Sequence, residues 1–258
     1  MKRQGGLFGR IPRFENLVSA HDRAARGKRA RPSVARFEFH LESELLSLQD
    51  DLASGAYRPG AFFTFEVRDP KRRAICAAPY RDRVVHHALC AVLEPHFDRR
   101  AISDSYACRQ GKGTHAAIRR ARHFARRYDY FLKCDVRMDD FLLFADDKPT
   151  LHLLLADIRR FLAEHLCLAL KEEATLLAPV TEGIPFLGVS IYPGLIRLNR
   201  RTRQRFRSKA LALEHRHAKG LVDHATLSAT AASLFAHVAH ADSYRLRCRV
   251  AGVNIIDG

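Results

Sequence analysis

Between Ser105 and Gly113 two glycines, Gly111 and Gly113, flank Lys112, and Arg109 stands two residues before the first of them. Glycine lets a backbone come close to a ligand, and cationic side chains neutralise phosphates, so this loop suits contact with a nucleic-acid backbone. Thr114 would then cap a basic helix reaching about Arg127. Arg200, Arg201, Arg203, Arg205 and Arg207 lie within eight residues of one another and add a second cationic stretch. Other chemistries find less support. His86 and His87 are adjacent in an apolar stretch, and neighbours on a helix point in different directions, which favours a structural role over a metal-ligand one. The six cysteines, Cys76, Cys90, Cys108, Cys134, Cys167 and Cys248, include no C-x-x-C pair. That argues against a zinc ribbon or a disulfide framework, and they read as reduced core or near-core thiols. Asp146 and Asp147 precede Lys148-Pro149, where Asp147 reads as a helix N-cap rather than a catalytic acid.

The charge balance points the same way as the loop. Forty-four Lys and Arg against 28 Asp and Glu give the 258 residues a formal charge of +16. Such a surface draws in nucleic acid by neutralising phosphates and releasing their counterions, the alternative being a merely basic soluble protein. With 47% apolar residues the chain can bury a core across one large or two modest domains. No run approaches the roughly 20 apolar residues that cross a bilayer. The basic start, Met1–Arg10, leads into Ile11-Pro12 rather than an apolar signal core. The expectation is a cytoplasmic protein with no membrane partner.

The elements that must position these residues follow from periodicity. Leu41, Leu45, Leu48 and Leu52 form a helical stripe stopped by Ser54-Gly55. Phe62–Arg68, a turn at Asp69-Pro70-Lys71, and Ala74–Ala78 predict a β-hairpin with a basic tip. Arg81–Phe97 predicts a helix burying Val84, Val85, Ala88, Leu89, Val92 and Leu93. Tyr130–Val136 and Phe141–Ala145 read as strands, Pro149 opens an amphipathic helix to about His165, and Leu166–Ala178 is ambiguous. Ile184–Tyr192 reads as a strand pair broken at Gly188, and the chain from Asn199 is helical and basic.

Four stretches in this order carry a resemblance: "AAPYRDRVVHHALCAVLE" after the hairpin "RDPKRRAIC", then "DSYACRQGKGTHAA", then "FLKCDVR" with "MDDFLLFADD", then "GIPFLGVSIYP". Together they resemble the reverse transcriptases of diversity-generating retroelements, relatives of group II intron enzymes, over nearly the whole chain. The resemblance implies an α+β polymerase right hand with a truncated palm sheet: fingers and N-terminal helical region at 1–128, a reduced palm at 129–195 and a helical thumb at 196–258. It implies RNA-directed DNA polymerisation, with an RNA template, a DNA primer, two Mg²⁺ ions and, in such systems, a small accessory helical protein. Two-metal transfer needs carboxylates converging on ions about 3.5–4 Å apart, one activating the primer hydroxyl and one steadying pyrophosphate. Carried over by position, Asp135, Asp139 and Asp140 would be the catalytic carboxylates. The same three, with the Val136 carbonyl, would be the metal ligands. Lys71, Arg73 and Arg81 would grip the nucleotide triphosphate. Arg109, Gly111, Lys112 and Gly113, and the primer-grip turn Phe186-Leu187-Gly188, would hold template and primer. Lys171 falls roughly where the family has a mobile lysine.

The chain departs from the family in one place. The aromatic pair, helix and nucleotide-pocket segment expected between the first Asp and the Asp pair are absent, and Arg137 runs directly into Met138-Asp139-Asp140. On one extended strand Asp135 and Asp139 would lie about 13 Å apart, too far for a shared metal pair. The expected solution pairs Tyr130–Met138 with Phe141–Ala145 across a turn at Asp139-Asp140, with Asp135 down the hairpin. Three readings follow: a polymerase impaired by the deletion, a catalytically inactive basic nucleic-acid-binding remnant, or a deletion artefact of a normal enzyme. The lost palm elements would also leave apolar surface uncovered, which predicts self-association.

Overall fold

The computed structural model describes residues 5–68, 72–107, 109–136 and 140–252. They form an α+β protein of two compact units, Met1–Ser103 and Asp104–Gly258. Among the described residues, no helix is long and apolar enough to cross a membrane.

The first unit comprises α1 (Phe14–Ala25), α2 (Pro32–Phe39), α3 (Leu41–Ser54), β1 (Phe63–Arg68), β2 (Arg72–Ala77) and α4 (Tyr80–Asp98). The leucine stripe behaves as its period requires: Leu45, Leu48 and Leu52 are buried, and α3 ends at Gly55 with φ 74°. They share a core with Leu17 and Ala20 of α1, Val34 and Phe37 of α2, and Val84, Ala88 and Val92 of α4. Leu89, expected on that face, is 38% exposed. It lies one residue, about 100°, round the helix from Ala88, which carries it off the buried stripe. The buried carboxylate of Asp82 is compensated by the Tyr57 hydroxyl at 2.6 Å and the Gly60 amide at 2.9 Å. β1 and β2 pair in register from Phe63↔Ala77 to Arg68↔Arg72, and the hairpin is exposed along nearly its whole length.

In the second unit α5 (Thr114–Ala125) precedes β3 (Tyr130–Asp135), β4 (Asp140–Ala145), α6 (Lys148–Leu166), β5 (Leu176–Pro179), β6 (Ile184–Phe186), β7 (Val189–Ile191) and β8 (Ile196–Leu198). Three helices follow, α7 (Arg200–Ala218), α8 (His224–Val238) and α9 (Tyr244–Val250). The strands form two antiparallel sheets, β4-β3-β5 and β6-β7-β8. Strand β3 is covered on both faces, and its alternation sorts its residues between two cores. Phe131 joins Ile118 of α5, Ile184, Val189 and Phe206, whereas Leu132 and Cys134 join Leu151 and Leu155 of α6. Burial pushes the Cys134 thiol up to about 11, so it is protonated and unreactive at neutral pH.

Asp147 caps α6 as its position suggests, accepting from the Thr150 amide at 2.7 Å. Thr114 does not cap α5; Gly113 occupies the N-cap and Thr114 is already helical. The cysteines depart from the core expectation as well. Cys134 is buried and Cys248 half-buried, but Cys76, Cys90 and Cys167 are exposed, and Cys108 lies outside the described residues.

His240 stacks on His115 with ring centroids 4.3 Å apart, and both of its ring nitrogens are buried without a hydrogen-bond partner. Burial, reinforced by His115, lowers its pKa below the ordinary imidazole value. As pH falls through about 6.5 the unfolded chain therefore takes up a proton that folded His240 resists, and stability is lost on the acid side. Melting curves from pH 7.5 down to 5.5 should show this loss, with a shallower slope for His240→Phe; equal slopes would remove His240 from the account.

Candidate functional site

Two of the acidic residues expected to do chemistry, Asp135 and Asp140, sit at the ends of β3 and β4 where the two strands pair. Antiparallel register runs from Tyr130↔Ala145 to Asp135↔Asp140, so Asp135 and Asp140 occupy facing positions on neighbouring strands. Residues facing each other in this way project from the same face, here the face of Phe131, Lys133, Leu142 and Phe144. The hairpin solution expected from sequence is thus present, with two differences. Asp140 is already paired within β4 rather than in the turn, and Asp135 lies opposite it at the end of β3 rather than further down. The separation along one extended strand does not apply to this pair, because the chain reverses between them. Asp139 lies outside the described residues.

A cation occupies the space next to Asp135. The Lys171 ammonium donates to Asp135 Oδ1 at 2.5 Å, and the Lys171 amide donates to the Asp135 carbonyl at 2.9 Å. Val136 forms an antiparallel bridge with Leu170, so the segment bearing the lysine is laid alongside the end of β3. Next along that segment, Glu172 takes both arms of Arg159 from α6, which lowers its pKa. Among the described residues, no group of three or more His, Cys, Asp or Glu side chains gathers so as to hold a metal ion. Asp140 is exposed and Asp135 is ion-paired to an ammonium, so the described donors alone do not fit a pair of magnesium ions.

The residues expected to grip a triphosphate lie in the first unit. Arg73 is exposed on β2, facing Val67 across the hairpin, and Lys71 lies outside the described residues. Arg81 is engaged by α3, with Nη2 at 2.8 Å from Asp51 and 3.1 Å from the Ser47 hydroxyl, and Nε at 3.5 Å from Glu44. The structure gives Arg81 the job of tying α4 to α3.

The loop expected to meet template or primer opens the second unit and is pinned at its base. Arg120 of α5 holds Asp104 by two bonds, 2.7 and 3.1 Å, and keeps that carboxyl below the usual carboxylate range. The Tyr106 hydroxyl adds a bond to Asp104, and Lys112 lies 4.8 Å from the centre of the Tyr106 ring. Arg109 donates to the Ser105 carbonyl at 3.2 Å, and Gly111 and Gly113 have φ values of 71° and 111°.

Phe186-Leu187-Gly188 forms the β6–β7 turn, with Phe186 paired to Val189. Leu187 and Gly188 have φ values of 48° and 87°, the pattern of a tight two-residue hairpin, in which glycine is favoured at the second position and leucine is unusual at the first. The Gly188 carbonyl accepts from the Asn199 amide and the Thr202 hydroxyl at the start of α7, at 3.2 and 2.9 Å.

One basic feature lies outside all of these. Arg200, Arg203, Gln204 and Arg207 of α7 face Arg245 and Arg249 of α9 across a cleft of about 400 Å³. The i, i+3, i+4, i+7 spacing on α7 was readable in the sequence, but nothing in the sequence brings α9 to that face.

No family model matches the chain. It is similar to nuclear intron maturase 1, mitochondrial, of Arabidopsis thaliana, with 42% identity over 151 residues covering 50% of this chain. The matched part is 21% of that protein, so the chain spans about a fifth of its relative.

Proposed function

We propose that this chain is a nucleic-acid-binding relative of group II intron reverse transcriptases and maturases in which nucleotidyl transfer is disabled. The observation that carries the reading is the Asp135–Lys171 pair: the carboxylate that would be the first metal ligand is bound to an ammonium group of its own chain. Two-metal transfer needs carboxylates free to converge on both ions. The likeness to an intron maturase and the net charge of +16 support RNA as the partner. The diversity-generating subtype, the loss of a segment between Asp135 and Asp139, the right-hand arrangement and an accessory helical protein rest on the quoted sequence stretches and belong to the same proposal. In that arrangement residues 1–128 serve as fingers and N-terminal helical region, 129–195 as a reduced palm and 196–258 as thumb.

A second reading, an active RNA-directed DNA polymerase with two Mg²⁺ ions, is favoured by one observation, the facing register of Asp135 and Asp140. Primer extension with a DNA primer on an RNA template, Mg²⁺ and the four deoxynucleotides separates the two. The expected result is no incorporation above the protein-free control, unchanged by Asp140→Asn. Incorporation that Asp139→Ala abolishes would establish the polymerase instead. Sequencing the encoding DNA tests the deletion: the gene is expected to run uninterrupted from Asp135 to Asp139 with no additional codons.

A further inference from the structure

Among the described residues, one sheet edge is left without the devices that keep strands from pairing with a second molecule. β4 ends the β4-β3-β5 sheet and its backbone is hydrogen-bonded to β3 alone, so alternate residues point their N–H and C=O groups away from the sheet. After the opening Asp140 the strand is apolar throughout, with no Pro, Lys or Arg, and Phe141 to Phe144 stay half-buried. The opposite edge is blunted: β5 is four residues long and ends in Pro179, which has no N–H to offer. β6 carries Pro185 and, like β8, has three residues, while the β1–β2 hairpin carries Glu66, Arg68, Arg72 and Arg73. A plain apolar edge such as β4 is the kind that recruits another strand.

The strand also dictates what can pair with it. Leu142 and Phe144 pack on the core that includes α5, and Phe141 and Leu143 on the core under α6, so a partner strand must be apolar on both faces as well. β4 itself meets that demand. Antiparallel pairing about a two-fold axis perpendicular to the sheet sets each face of one β4 beside the same face of the other, and each core runs on into its copy. Helix α6 extends the surface. Arg159 reaches Glu172, in the segment leading into β5, and so marks the β5 side of the helix. At about 100° per residue, Leu154, Phe161 and His165 fall on the other flank of the buried stripe Leu151, Leu155 and Leu162, which is the β4 side. Leu154 is 38% and Phe161 54% exposed, and the Phe161 and His165 rings lie 4.9 Å apart. Neither the strand nor this flank carries a Lys or Arg. On a chain of charge +16 a second copy meets no like charge there, and a nucleic acid finds no cation.

We propose that two copies of this chain pair along β4, edge to edge and antiparallel, making one continuous sheet of order β5-β3-β4-β4-β3-β5 with the two α6 helices side by side across the axis. The assembly closes at two, because the axis uses up the same edge in both copies and leaves the blunted β5 outermost. The residue at the axis, Leu142 or Leu143 at the middle of the strand, faces its own counterpart. The inference uses neither the Asp135–Lys171 pair nor the arginines, and it stands apart from the nucleic-acid reading.

The test is sedimentation equilibrium of the full chain, freed of nucleic acid by nuclease, at about 1 to 50 μM in about 0.5 M KCl, where bridging by residual RNA is screened out. The expected result is a species of twice the chain mass. Leu154→Glu with Phe161→Glu should raise its dissociation constant at least about a hundredfold, since both side chains would be buried as charges. Leu153→Glu with Ala156→Glu, exposed positions on α6 away from that flank, should change it by less than about threefold. Leu142→Cys and Leu143→Cys, each in a chain whose Cys76, Cys90, Cys108, Cys167 and Cys248 are changed to Ser, report the strand pairing. At least one is expected to cross-link to its counterpart under mild oxidation, because the axis brings that position within disulfide reach of itself. A monomer across the range, a dimer that appears only with RNA bound, an assembly larger than two, a dimer that Leu154→Glu with Phe161→Glu leaves intact, or failure of both cysteines to cross-link would each overturn the pairing. If the double glutamate variant does not fold, the cross-link decides alone.

Discussion

Raising KCl from 50 to 200 mM is expected to weaken RNA binding by the intact chain about a thousandfold. The magnitude follows from counterion release: each phosphate neutralised lowers log affinity by about 0.7–0.9 per tenfold rise in salt, and about six contacts give a fall of that size. A chain with a formal charge of +16 and a five-arginine cleft has the cations to make them. Isothermal titration or anisotropy at four salt concentrations measures the slope. A slope close to zero would mean that binding, if seen, comes from apolar or stacking contacts and that the charge is only a solvated surface.

Phe131→Ala is expected to cost the second unit about 3–5 kcal/mol, the usual result of emptying a well-packed aromatic site. Phe131 has no solvent exposure and packs in the core shared by α5, β5 to β8 and α7, while its neighbours Leu132 and Cys134 fill the core under α6. One substitution on β3 therefore loosens the sheet that carries Asp135 and Asp140. A unit of this size should lose about 10 °C in melting temperature. Leu153→Ala, at a position 71% exposed on α6, serves as the comparison and should stay within about 0.5 kcal/mol. A loss below about 1 kcal/mol for Phe131→Ala would mean that the strand is not packed as described.

Much of the local structure was legible because period and punctuation agree. The α3 leucines, the Gly55 stop, the Asp147 cap and the strand pair at Ile184–Tyr192 each follow from side-chain spacing plus one turn or cap residue. The hairpin at the acidic residues could also be read, since two short apolar runs separated by four residues have little choice but to pair. Its register could not. Whether Asp140 belongs to the turn or to the strand is a one-residue difference that local propensity does not decide, yet it sets whether Asp135 has a carboxylate facing it. The ambiguous stretch after α6 hid the partner that matters most, because Lys171 reaches Asp135 only through the Val136–Leu170 bridge, a contact 34 residues apart in sequence. The arginine cleft was half visible for the same reason. One wall is a helical face, and the other arrives by the folding of α8 and α9 around the core.

The turn at Leu187-Gly188 has a mechanical consequence. Its last carbonyl is gripped twice by the opening of α7, so loop and helix have no separate hinge and behave as one stiff bracket. Whatever tilted the hairpin tip would swing the opening of α7, and the arginine row it carries, with it.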